Sequence, residues 1–102
     1  MERRVSLITL GVRDLARSRA FYEAIGFRPS SSSQDEIVFI QLSGGVALAL
    51  FGWDALAEDA QVSPEGHGFR GVTLAHNVRA REEVAPILAE AARAGGRIVK
   101  PA

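Results

Sequence analysis

The sequence contains one pattern twice, and this repetition constrains the fold more than any other feature. The first copy is TLGVRDLARSRAFYEAIGFRP at residues 9–29, and the second is TLAHNVRAREEVAPILAEAARAGGRIVKP at residues 73–101. In each copy a short apolar run with a Thr-Leu pair leads into an amphipathic stretch and then into glycine, which predicts strand, helix and strand. Because two such units normally bury their apolar faces together, we expect one domain built from two related modules.

The first module is marked out by charged residues and glycines. Residues 5–12 are predicted to form a strand, with odd-numbered and even-numbered side chains on opposite faces. Asp14 is predicted to cap the following helix and Gly26 to end it, after which residues 27–29 begin a short strand. Two further strands, 36–42 and 46–51, are predicted to form a hairpin whose turn uses Gly44 and Gly45.

The second module is predicted to follow a connecting segment. Residues 54–60 form a short helix capped by Asp54, and residues 61–68 are rich in Gly, Pro and polar side chains, which is typical of a linker. A strand at 71–77 leads into a helix at about 80–94. Pro86 is tolerable there only near the first turn, so the regular helix is expected to start around residue 82 or 83. Gly95 and Gly96 end the helix, and 97–100 is a last strand. We divide the chain into module one (about 5–53), a linker (about 54–69) and an incomplete module two (about 70–102).

Composition excludes several classes of function. The chain has 102 residues, of which 47% are apolar, so it is long enough to bury the core of a single domain. Its 12 basic and 12 acidic residues cancel, so no net charge attracts nucleic acid or anionic lipid. It has no cysteine, which removes disulfides and thiolate chemistry. The apolar run near the N-terminus is too short to span a bilayer. We expect a cytoplasmic protein with no nucleic-acid or membrane partner.

Three segments together resemble the vicinal oxygen chelate superfamily, which contains glyoxalase I, extradiol dioxygenases and bleomycin-resistance proteins. They are LGVRDLARSRAFYEAIGF (10–27), VALALF (46–51) and GVTLAHNV through AGGRIVKPA (71–102). The resemblance implies an α+β fold of paired βαβββ modules that form a half-open curled sheet around a cavity. Members usually continue for two strands past the position of Ala102, so we expect the second module to be truncated after βαβ. Many members dimerise, and we expect a homodimer.

The resemblance also indicates where a metal would be held. In metal-dependent members three of the four ligands align with Leu7, Ala49 and Gly71 of this sequence, and the fourth aligns beyond Ala102. None of the three carries an imidazole, carboxylate or thiolate, which are the donors that divalent ions need. Shifting the alignment by one residue in either direction brings no His or Glu into place. We therefore expect no metal and no other cofactor.

A ligand site is predicted where the resemblance places the cavity. Trp53 follows the strand at 46–51 near the expected cavity mouth, and an aromatic wall beside small residues would leave room for a flat or aliphatic molecule. The alternative for Trp53 is a place in the core or in a dimer contact. The residues expected to line the site are Leu7, Thr9, Ala49, Phe51, Trp53 and Thr73.

The titratable residues do not form a catalytic group that the sequence can identify. His67 lies in the predicted linker and is expected to be exposed, and His76 is either structural or a general base. Arg13 and Arg79 occupy equivalent places in the two copies. They are either solvated charges in loops or part of a rim that attracts anions. Tyr22 is expected to pack in the core.

Three functions remain open, and whether the chain is an enzyme is open with them. The first is metal-free binding of a small, largely apolar molecule in the cavity, as in the bleomycin-resistance branch. The second is a metal-dependent lyase or dioxygenase whose ligands lie elsewhere, such as His67, His76 or residues after Ala102. The third is a dimerisation module without a ligand.

Overall fold

The computed structural model describes all 102 residues and divides into two compact units, residues 1–64 and 65–102. The division falls inside the segment 54–69 that the sequence suggested as a linker. Unit 1 contains strands and helices, whereas unit 2 contains helix alone. None of the helices is long and apolar enough to cross a membrane.

Unit 1 is organised around a three-stranded sheet. The strands are β1 (Leu7–Val12), β2 (Ile37–Gln41) and β3 (Ala47–Gly52), in the order β1-β3-β2. β1 runs parallel to β3, and β2 runs antiparallel to it. The predicted hairpin is confirmed, and its turn uses Gly44 and Gly45 at φ 91° and 86°, a conformation that side chains disfavour.

Helix α1 (Leu15–Ala24) begins and ends as the sequence predicted. The Asp14 carboxylate accepts a hydrogen bond of 3.0 Å from a backbone N–H of the first turn. At the other end Gly26 has a φ of 96°, and the N–H of Phe27 donates to the carbonyl of Tyr22 at 2.9 Å. This Schellman ending turns the chain sharply after the helix and brings it back onto the sheet.

The core of unit 1 lies between α1 and one face of the sheet. Leu50 of the central strand is fully buried, and Ile40 is 1% exposed. The even-numbered residues of β1, which were predicted to share a face, pack against these side chains together with residues of α1. The core cluster consists of Val38, Ile40, Leu48 and Leu50, with Ile8, Leu10, Val12, Leu15, Tyr22, Phe27 and Leu42 packed against it.

Tyr22 packs in this core, as predicted, between two other aromatic rings. Its ring centroid lies 5.2 Å from that of Phe21 in an edge-to-face arrangement and 5.6 Å from that of Phe27. Burial disfavours the charged phenolate and raises the pKa of Tyr22 above its ordinary value of 10.0.

The raised pKa predicts a loss of stability at alkaline pH. The fold favours the protonated phenol, so this contribution is complete below the unfolded pKa of 10.0 and is lost as the pH rises through the folded pKa. Since Tyr22 is the only tyrosine, tyrosinate absorbance reports on it alone. We expect native protein to ionise at higher pH than urea-unfolded protein, and Tyr22→Phe to flatten the alkaline fall in the free energy of unfolding. Native ionisation at or below the unfolded pKa would contradict this.

Helix α2 (Trp53–Ala60) follows β3 directly, and one prediction about it is wrong. Asp54 does not cap the helix, because the helix begins one residue earlier, with Gly52 at the N-cap position and no capping side chain. Asp54 lies instead in the first turn, where a carboxylate is favourable because of the helix dipole. The helix ends at Gln61 in the left-handed conformation, φ 58°.

Unit 2 reproduces the helical part of the repeat. A short 3₁₀ turn (Arg81–Glu83) leads into α3 (Val84–Arg93), so Pro86 falls in the first turn of α3, as predicted. Gly95 has a φ of 113°, and the N–H of Gly96 donates to the carbonyl of Ala91 at 2.9 Å. The helix therefore ends in the same Schellman motif as α1.

The strands predicted around α3 are not formed, which corrects the expected βαβ order of the second module. Residues 71–77 and 97–100 carry no strand pairing. A strand draws its backbone hydrogen bonds from a neighbouring strand, and no ladder forms within residues 65–102. Apolar side chains there stay in solvent, with Val72 62% and Val99 79% exposed. The short strand predicted at 27–29 is reduced to one bridge between Pro29 and Ile40, since proline has no N–H to extend a ladder.

Candidate functional site

The face of the sheet that points away from α1 carries most of the predicted site. Successive side chains of a strand point to opposite faces, and the even-numbered apolar side chains of all three strands pack in the core. The odd-numbered residues therefore form the other face, which we call the distal face. In order of strand register, its three rows are Leu7, Ala47 and Gln41; Thr9, Ala49 and Phe39; and Gly11, Phe51 and Ile37.

Four of the predicted ligand-binding residues lie on the distal face. Thr9 and Ala49 are direct neighbours in the middle row, while Leu7 and Phe51 belong to the rows on either side. Ala49 is fully buried on the central strand, and Leu7 is 42% exposed at one end. The face is thus a small-residue centre with larger apolar side chains around it.

Trp53 lies at the end of the distal face where α2 begins. A Cβ added to Gly11 would lie 3.2 Å from Cδ2 of Leu56 and 3.5 Å from Cε3 of Trp53, so both side chains cover this strand position closely. The indole Nε1–H donates to the carbonyl of Pro64 at 2.8 Å, which fixes the ring. The guanidinium carbon of Arg13 lies 4.5 Å from the centroid of the Trp53 ring, a cation–π contact.

Two further residues belong to this site and were not identified from the sequence. Phe39 lies beside Ala49 in the middle row, and Leu56 packs over Gly11. Phe39 could have been found, because the hairpin fixes which residues of β2 face the same side as Ala49. Leu56 could not, because its position depends on how α2 folds back over β1.

The remaining predicted residues belong to unit 2. Thr73, Gly71, His67 and His76 are all exposed. The chain contains no group of three or more His, Cys, Asp or Glu residues that could hold a metal ion.

The distal face does not fit the metal that the resemblance implies for metal-dependent relatives. Leu7 and Ala49 both lie on this face, and neither has a donor atom in its side chain. The polar side chains of the face are the Thr9 hydroxyl and the Gln41 amide, which are neutral oxygen and nitrogen groups. Divalent transition ions are held by imidazole, thiolate or carboxylate, so this donor set is not a metal centre.

An open groove also lies at the opposite end of the sheet, between the N-terminal segment and the hairpin turn. Its volume is about 520 Å³, and its lining is Arg3, Arg4, Val5, Ser6, Gly44, Gly45 and Val46. Arg4 is paired with Glu2 at 3.1 Å, and both side chains are about three-quarters exposed. The groove therefore lacks the buried apolar lining typical of a ligand site, and we place the candidate site on the distal face.

Comparison with known proteins identifies the class to which this fold belongs. The sequence profile of the Glyoxalase/Bleomycin resistance protein/Dioxygenase superfamily matches residues 4–102. The chain belongs to this superfamily, as its sequence motifs suggested. No curated protein gave a match.

Solved structures support the same assignment. A glyoxalase-related enzyme from Fulvimarina pelagi is 38% identical with a TM-score of 0.80, over 98% of this chain and 70% of that one. A hypothetical protein from S. aureus is 27% identical with a TM-score of 0.81, over 99% of this chain and 76% of that one. A glyoxalase/bleomycin resistance protein/dioxygenase from Nocardioides is 21% identical with a TM-score of 0.75, over 99% and 68% of the two chains, and shows the fold alone.

Proposed function

We propose that this chain binds a small, largely apolar molecule on the distal face without a metal ion. The observation that carries the proposal is that Leu7 and Ala49 lie on the same face, in neighbouring rows, at the positions where metal-dependent relatives are expected to hold their ion. A face without metal donors but with aromatic side chains around a small-residue centre favours organic ligands over ions. Within the superfamily this corresponds to binding and sequestration rather than to metal-assisted turnover.

The energetics of the face suit such a ligand. Burying apolar surface contributes about 25 cal/mol per Å², so a ligand that covers about 100 Å² of the distal face would gain about 2.5 kcal/mol of binding free energy. We call the middle of this face the floor. Phe39 and Phe51 flank the floor and would supply much of that area. Thr9 supplies one hydroxyl in the middle of the floor, which would orient a ligand by a single hydrogen bond.

The proposal is tested by placing a charge on the distal face. Trp53 is the only tryptophan, so its fluorescence reports on binding at the end of the distal face where α2 begins. We use cyclohexylmethanol as the probe, because it is apolar and does not absorb where tryptophan does. Leu7→Glu introduces a carboxylate that the probe must desolvate, and we expect its affinity to fall about tenfold, equivalent to 1.4 kcal/mol.

The matched control adds the same charge on the opposite side of the sheet. Ala20 is exposed on α1, which covers the core face, so Ala20→Glu is expected to leave the affinity within twofold of the wild type. If both variants lowered the affinity for the probe equally, the added negative charge would act wherever it is placed, and not through the distal face. Either that result or the absence of saturable binding to the wild-type chain would refute the proposed site.

A homodimer is favoured by a separate observation. β1 is an edge strand, since the order is β1-β3-β2, and its outer edge forms no ladder in this chain. Unpaired strand edges tend to pair with another strand, so we propose that a second copy of this chain pairs at this edge. We also propose that the protein works in the cytoplasm. Sedimentation should show a dimer, and a monomer at every concentration would contradict it.

A further inference from the structure

Arg13 is exposed at the Trp53 end of the distal face, but its side chain is held there against an aromatic ring. It directly follows β1, and its guanidinium carbon lies 4.5 Å from the centroid of the Trp53 ring. The ring is itself fixed by its hydrogen bond to Pro64 and by its packing over Gly11. The cation is therefore placed beside the apolar floor by a chain of contacts that begins in the sheet.

The Arg13 guanidinium contacts the Trp53 ring but belongs to neither of the ion pairs seen in unit 1. These pairs join Arg4 to Glu2 and Arg19 to Glu23. The nearest carboxylate along the chain, that of Asp14, is occupied at the N-terminus of α1, where it accepts from a backbone N–H. A guanidinium that lies over an aromatic face keeps its N–H donors at its edge, where they can bind a carboxylate with two parallel hydrogen bonds.

The repeat supplies an internal comparison. Arg79 occupies the place equivalent to that of Arg13 in the second copy, and both arginines are exposed, but Arg79 has no aromatic contact. Its backbone N–H donates to the carboxylate of Glu83 at 3.0 Å. Of the two equivalent arginines, only Arg13 is held against a ring at the candidate site.

We infer that the ligand of the distal face carries a carboxylate beside its apolar body, and that Arg13 binds this carboxylate. The inference rests on the proposed function, and it specifies in addition that the ligand is negatively charged and which way it lies on the face. The apolar part would lie against Phe39 and Phe51, which are partly exposed on the distal face. The carboxylate would lie at the α2 end, at the edge of the Arg13 guanidinium.

The test compares two probes of similar shape on the full chain by calorimetry. Cyclohexanecarboxylate is expected to bind about tenfold more tightly than cyclohexylmethanol at low salt, since a charge-assisted hydrogen bond contributes about 1.5 kcal/mol. Arg13→Gln should remove this preference and leave the affinity for the alcohol unchanged. Arg13→Lys keeps the charge but lacks the paired donors, and should retain only part of the preference. In the wild type, the Nε–H resonance of Arg13 should shift with the carboxylate and not with the alcohol.

Arg79→Gln is the matched control, because it removes the same charge from the equivalent place in the repeat. It should keep the tenfold preference, and circular dichroism should show all three variants folded. Equal affinity for the two probes, or a preference that survives Arg13→Gln, overturns the role of Arg13 and leaves the apolar site standing. Failure of both probes to bind refutes the proposed function and this inference together.

Discussion

Leu50→Ala is expected to lower the free energy of unfolding by about 2–5 kcal/mol, the range for removing a buried leucine from a packed core. Leu50 is fully buried on the central strand and lies between Leu10 of β1 and Val38 of β2. The substitution loses the transfer free energy of the side chain and leaves a cavity that two hydrogen-bonded neighbours prevent from closing. Urea denaturation followed by circular dichroism measures the change.

Two variants keep this result interpretable. Val5 is 63% exposed before β1, so Val5→Ala should change the free energy of unfolding by less than about 0.5 kcal/mol. If Leu50→Ala does not fold, Ile40→Val, which removes one methylene from the same core, should cost about 0.5–1.5 kcal/mol. A cost for Leu50→Ala no greater than that for Val5→Ala would mean that the core does not lie between α1 and the sheet.

Gly11→Val is expected to destabilise the chain by about 1–3 kcal/mol through overpacking. Even the first added carbon would lie 3.2 Å from Leu56 and 3.7 Å from the Cα of Trp53. Leu56 can yield, but the backbone of Trp53 is fixed to the end of β3, so the two further methyl groups of valine have little space. Since they would push α2 away from the sheet, the fluorescence of Trp53 should change in the native state as well.

Gly52→Ala is the control for this prediction. Gly52 is the register partner of Val12, the residue after Gly11, and a Cβ added to it meets nothing within 4 Å. Its φ of −55° suits any residue, so the substitution should be neutral or should stabilise by up to about 1 kcal/mol, because it restricts the unfolded chain. If Gly11→Val were equally harmless, α2 would not pack on the distal face.

Local signals in the sequence predicted most of unit 1 correctly. Asp14 and Gly26 delimit α1 because a carboxylate cap and a left-handed glycine are requirements of a few neighbouring residues. The same holds for the hairpin at Gly44 and Gly45 and for the position of Pro86 in α3. Such features are determined by residues that are close together in the sequence, so they can be predicted from one sequence.

Features that depend on distant partners could not be predicted in the same way. Residues 71–77 have the composition of a strand, but a strand also needs a neighbour to pair with, and none pairs with them here. The contact between Arg13 and Trp53 joins residues forty positions apart through the parallel pairing of β1 with β3. The sequence pointed to Trp53 near a cavity mouth, whereas the fixed cation beside it required the structure.

The most direct test of metal-free binding measures the affinity of the wild-type chain for cyclohexylmethanol twice, once in the presence of a strong chelator and once with excess zinc or manganese. Because Leu7 and Ala49 offer no donor atoms on the distal face, we expect the two dissociation constants to agree within twofold, and calorimetry to detect no stoichiometric tight site for either ion. Loss of binding with chelator, or a one-to-one submicromolar metal site, would contradict the account.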